Sequence, residues 1–73
     1  MTYTLGIGGE VPLVCWIKDN GETHEVFCNA PLGYDVFAVG PDGERVVDSG
    51  DGPTHKAVPL DLREGETPLI RAR

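Results

Sequence analysis

The sequence predicts an all-β fold: a single small sandwich or open barrel of about six or seven short antiparallel strands, spanning residues 1–73 as one domain. Three observations carry that expectation. Turn signals return about every ten to twelve residues, the beat of short strands joined by tight connections. Between them the hydrophobic pattern alternates with period two, and no window holds a helical stripe. Ten glycines and six prolines in 73 residues supply the turns.

The first strand is expected over residues 2–7, where Tyr3, Leu5 and Ile7 share one face and Thr2, Thr4 and Gly6 the other. A hairpin follows, formed by residues 13–18 and 25–30. Two turns compete to close it. A two-residue Asn20-Gly21 turn is the stronger local signal, but it sets Ile17 against His24 and Trp16 against Glu25. A four-residue loop, Asn20-Gly21-Glu22-Thr23, sets Lys18 opposite Glu25, Ile17 opposite Val26, Trp16 opposite Phe27 and Cys15 opposite Cys28. Every pair in that second register is chemically matched. Since a one-residue slip turns every side chain to the wrong face, the matched register is the expected one.

Gly40-Pro41-Asp42-Gly43-Glu44 suits a type I turn closed by a left-handed glycine. It joins residues 34–39 to residues 45–48. Strands over Thr54–Val58 and residues 68–72 complete the set. Pro12, Pro59 and Pro68 cannot donate to a ladder, so they belong at edges or strand starts. The best helical candidate, residues 59–66, is too short for more than one turn.

A core this small is marginal, and such domains usually add a disulfide, a metal or a partner. Cys15 and Cys28 are the only thiols. Placed side by side, they either form a cross-strand disulfide or remain two reduced, buried, hydrophobe-like residues. A bridge closing about 14 residues contributes ~3 kcal/mol in the chain-entropy model. Neither thiol has a neighbouring motif that activates it for catalysis.

The net charge is −6. Residues 1–53 hold nine acidic and two basic side chains, a balance of −7, whereas residues 54–73 balance at +1. Binding to a nucleic-acid backbone is not expected, because it needs a basic stripe. No run of about 18 apolar residues exists for a membrane helix, and no basic-then-apolar leader opens the chain, which points to a start in the cytoplasm.

Templates for chemistry are missing. Cys15, Cys28, His24 and His55 lack the spacing of a zinc site, and residues 48–52 lack the alternating ligands of a calcium loop. There is no Gly-x-Ser-x-Gly elbow and no phosphate loop. No catalytic residue, metal or cofactor is therefore assigned.

The aromatics carry more. In the matched register Leu13, Cys15, Ile17, Val26 and Cys28 share one face of the hairpin. Val14, Trp16 and Phe27 share the other, framed by Lys18, Glu25 and Asn29. If the cysteine face covers the core, the opposite face is an aromatic anchor with a polar rim, the anatomy of a binding patch. If Trp16 faces inward, that patch does not exist. Arg71 and Arg73 close the chain after an apolar strand; they suit either a solvated end or a contact with the acidic region of a neighbouring copy.

These features imply a non-enzymatic protein–protein interaction module. The leading expectation is a structural or accessory protein that docks on a larger assembly or on itself, for example a virion-type decoration or stabilising protein. Its contact residues would be Val14, Trp16, Phe27, Arg71 and Arg73. The alternative is a small β-scaffold inhibitor of an enzyme, stiffened by Cys15–Cys28 and presenting a hairpin tip; an acidic DNA mimic is a variant of it.

Overall fold

A computed structural model describes residues 2–8 and 11–73, with side chains from Cys15 onward. The described residues contain strands and turns but no helix. In chain order the strands are β1 (Thr2–Gly8), β2 (Val11–Asp19), β3 (His24–Cys28), β4 (Tyr34–Gly40), β5 (Gly43–Gly50), β6 (Thr54–Val58) and β7 (Thr67–Ala72). Residues 59–66 form a connection with one tight turn, in which Glu66 N donates to Arg63 O at 3.0 Å.

The strands divide into a four-stranded sheet ordered β1-β2-β3-β6 and a three-stranded sheet ordered β5-β4-β7. All pairings are antiparallel. Among the described residues no ladder joins β6 to β5 or β7 to β1, so no closed barrel forms. The chain alternates between sheets in its second half. β4 and β5 start the smaller sheet, β6 returns to pair with β3, and β7 crosses again to pair with β4.

The β2–β3 hairpin has the register that side-chain matching predicts: Cys15 faces Cys28, Trp16 faces Phe27, Ile17 faces Val26 and Lys18 faces Glu25. The loop is Asn20–Thr23, with Asp19 and His24 as its closing pair. Its geometry explains why it prevails over a bare Asn-Gly turn. Asn20 N donates to Thr23 O at 2.9 Å, Asp19 Oδ1 accepts from Gly21 N at 2.8 Å, and Gly21 takes φ 97°. Glycine meets that value without the Cβ penalty. β3 ends at Cys28, two residues earlier than expected. There the chain leaves the sheet for the Pro31-Leu32-Gly33 turn, closed by Gly33 N donating to Ala30 O at 3.2 Å.

In the second hairpin Gly40 pairs with Gly43 around Pro41-Asp42, and Gly43 has φ 118°. β5 runs further than expected, because a bulge absorbs one residue: Phe37 faces Val46 while Val36 faces Asp48. Pro68 sits in β7, an edge strand of its sheet. Pro12 lies where β2 pairs only with β1. Both places need no donor toward an open side. The Gly52–Pro53 peptide is cis.

One core joins the sheets. Cys15, Ile17, Val26 and Cys28 from the larger sheet meet Tyr34, Val36 and Ile70 from the smaller one, together with Ala30. Each is at most 1% exposed. Burying side chains of this size stabilises by roughly 1.5–3 kcal/mol each for the larger aliphatics. The Cys15 and Cys28 sulfurs stand at disulfide distance, 2.08 Å. Leu13, expected on this face, lies outside the described side chains.

Candidate functional site

Because Cys15, Ile17, Val26 and Cys28 face the core, period two turns Trp16, Lys18, Glu25 and Phe27 to the opposite side of the same strands. β6 adds to that outer face. Thr54, Lys56 and Val58 are half-buried, whereas His55 and Ala57 are exposed. The ladder then lines up Trp16 with Phe27 and Phe27 with His55 in one row across three strands. In the backbone register β1 sets Tyr3 opposite Trp16.

The rings form a compact cluster. Trp16 and Phe27 stack with centroids 5.4 Å apart and planes inclined by 16°. His55 meets both edge-on, at 5.9 Å from Trp16 and 5.8 Å from Phe27. Such offset-stacked and edge-to-face contacts suit the charge distribution of aromatic rings. The imidazole also reaches Glu25 through Nε2. Glu25 in turn accepts from Asn20 Nδ2 at 3.4 Å. The His55 contact, the Asn20 hydrogen bond and the attraction of His55 and Lys18 hold the Glu25 carboxyl below its ordinary pKa. The face therefore combines half-buried aromatic area, an ionised carboxylate and a weak base.

Of the sequence-derived contact residues, Trp16 and Phe27 come together here. Val14 lies outside the described side chains; in the register it stands opposite Leu5. Arg71 and Arg73 are elsewhere, on and beyond β7 in the smaller sheet, and both are engaged within the chain. Arg71 Nη1 and Nη2 donate to Glu44 at 3.0 and 2.7 Å, while its guanidinium carbon lies 4.9 Å from the Phe37 ring centroid. Arg73 Nη2 donates to Tyr34 O at 3.1 Å and Gly50 O at 3.3 Å, and its Nε lies 3.4 Å from Asp35. The arginine tail thus meets acidic groups of its own molecule, Glu44 and Asp35, and among the described residues leaves the rest of the acidic region unpaired with it.

His55 escaped sequence reasoning as a site residue, and Glu25 was legible only as part of the polar rim, not as the partner of His55. Their meeting depends on β3 pairing with β6, and nothing local in the sequence names that partner. The alternation within Thr54–Val58 does place His55 and Ala57 on a common face, but not beside which strand.

Charged groups also gather at the tip of the second hairpin. Gly40–Arg45 and Arg63, Glu64 and Glu66 line a shallow cleft of about 290 Å³. Its wall is built by Arg45, whose Nε and Nη2 donate to the Glu66 carboxylate at 3.1 and 2.7 Å. Nη2 also donates to Asp61 O at 2.6 Å. Arg45, aided by Arg63 N, holds the Glu66 carboxyl below its usual pKa. Among the described residues no three His, Cys, Asp or Glu side chains are grouped as ligands for a metal ion.

No known protein family, curated protein or solved structure matches the chain.

Proposed function

We propose that this chain is a small, non-enzymatic interaction module that docks on a larger protein assembly through the outer face of its four-stranded sheet. The observation that carries this reading is the Trp16–Phe27 stack, held on the side of the sheet away from the core and edged by His55, Glu25 and Lys18. Aromatic anchors within a polar rim are the usual centre of a protein interface, where truncating one costs on the order of 2 kcal/mol. Two antiparallel sheets around one core fit a small sandwich, a scaffold that presents such a face rigidly. A decoration or stabilising protein of a shell-like assembly is one form of this module. Arg71 and Arg73 lie on and beyond β7 in the smaller sheet, with their guanidinium groups engaged inside the molecule, and are not part of this proposed face.

The test is photo-crosslinking in the native cell from a benzoylphenylalanine placed at Ala57, an exposed neighbour of the cluster on the same face. A crosslinked protein partner is expected, and the band should vanish in a Trp16→Ala/Phe27→Ala background that still folds. A partner band that persists in that background would remove this reading.

A further inference from the structure

We infer that the docking face takes a guanidinium group, an arginine side chain of the partner protein, seated against Trp16 and Phe27 and paired with Glu25 in the place His55 now holds. This deepens the docking reading and rests on it.

The molecule contains the same arrangement once already, completed by its own cation. On the outer face of the smaller sheet an aromatic ring, a guanidinium and a carboxylate form one unit: Arg71 lies 4.9 Å from the Phe37 centroid and donates two hydrogen bonds to Glu44. On the outer face of the larger sheet the aromatic surface is bigger, being an indole and a phenyl ring together, and the carboxylate is again present. The third place is held by an imidazole. His55 touches Glu25 and both rings at once, so a group that replaced it there would also touch both.

An imidazole is the weaker occupant. A guanidinium stays charged at any physiological pH, presents a planar fork that matches a carboxylate, and gains cation–π attraction strongest over tryptophan. His55 is 57% exposed and stands on β6, an edge strand, so it can swing aside without opening the core. Asn20 and Lys18 approach Glu25 from the loop and from β2. Among the described residues the cations stacked on rings are Lys56 and Arg71, not Lys18. Charge favours such a partner, since the chain carries −6 overall and −7 within residues 1–53.

Trp16 is the only tryptophan, so its fluorescence reports on this face alone. The experiment titrates the full chain with the peptide acetyl-Gly-Arg-Gly-amide and with its uncharged citrulline counterpart, up to on the order of 10 mM, a range suited to a single weak contact. The arginine peptide is expected to change the fluorescence saturably and to bind about tenfold better than the citrulline peptide, as a charge-assisted pair should. Glu25→Gln should erase that preference, and His55→Ala should tighten binding several-fold by removing the competitor. Equal responses to the two peptides, or none to either, would overturn the inference. So would a dimer of the chain that the arginine peptide disperses, because the arginine would then come from a second copy. If the crosslink depends on Trp16 and Phe27 while the peptides show no preference, the docking reading survives and only the guanidinium assignment falls.

Discussion

Lys56 Nζ lies 3.4 Å from Asp48 Oδ2, although the two residues belong to edge strands of different sheets. Both side chains are turned toward the seam between β5 and β6, which no ladder closes. Charged side chains directed inward on an edge strand discourage pairing with another chain. Here the two charges also answer each other. The Tyr34 hydroxyl and the Asp48 carboxylate hold the Lys56 ammonium above its ordinary pKa.

Replacing Lys56 by Met leaves the Asp48 carboxylate half-buried and unpaired. A loss of about 0.5–1 kcal/mol is expected, the range of a partly exposed pair. Urea unfolding of Lys56→Met, Asp48→Asn and the double variant should show a coupling of that size, and additive losses would mean the pair contributes nothing. The pH dependence has a definite sign. The folded-state pKa is raised, so this contribution is full below the unfolded lysine value of about 10.4 and fades as pH climbs through the higher folded value.

The Cys15–Cys28 bridge is expected to be a main source of stability. It spans a sequence separation of 13, for which chain entropy gives ~3 kcal/mol. In a domain of this size each lost kcal/mol lowers Tm by about 4–8 °C. Thermal unfolding with and without reductant, beside a Cys15→Ser/Cys28→Ser variant, checks this. Identical melting in both conditions would mean that the cysteines act only as packed thiols.

Two glutamates set the acid limb. Glu25, bonded to His55 and then Asn20, and Glu66, bonded to Arg45 and then to Arg63 N, both have folded pKa values lowered from the ordinary glutamate value. Their stabilisation is full well above the ordinary glutamate pKa and is lost as pH falls through the depressed folded values. Urea midpoints measured from pH 7 down to about 2 should therefore drop on the acid side. Glu66→Gln should begin lower at neutral pH and fall less steeply, and an unchanged acid slope would show that the Arg45–Glu66 pair does not couple to folding.

Two left-handed glycines should tolerate alanine unequally. Gly21 has φ 97° and open space around its missing Cβ, so Gly21→Ala costs only backbone strain, about 1 kcal/mol. Gly33 has φ 96°, and a Cβ there would overlap the Gly50 carbonyl oxygen. Gly33→Ala must also move backbone and should cost at least twice as much, within the usual span of severe single substitutions. Equal urea midpoints for the two variants would contradict the close approach of Gly33 and Gly50.

Local chemistry made much of this fold legible in the sequence. The Cys15–Cys28 register could be chosen because four cross-strand pairs agreed at once, and the Pro41–Gly43 turn because proline and glycine each fix a backbone angle. The bulge at Val47 was hidden, since alternation through Arg45–Asp48 reads equally well without it. Sheet membership was hidden too: nothing within Thr54–Val58 says that its neighbour is β3 rather than β5. For the same reason the candidate site was half visible. Trp16 and Phe27 are hairpin partners, but His55 reaches them only through that long-range ladder. Arg71 and Arg73 looked available because their partners, Glu44, Asp35 and the carbonyls of Tyr34 and Gly50, are distant in sequence.

The alternation of β6 and β7 between the two sheets bears on how the chain is made. During synthesis, the strands that precede β6 can form only the β1-β2-β3 meander and the β4-β5 hairpin, each with an apolar side open to water. The larger sheet gains its last strand when β6 emerges, and the smaller one when β7 does. Long-range pairing of this kind is slow compared with closing a hairpin. Much of the buried surface is therefore covered only once β6 and β7 are available, and the earlier strands stay exposed to other sticky surfaces until then. Stop codons introduced within β7 should consequently yield insoluble product rather than a weakened domain.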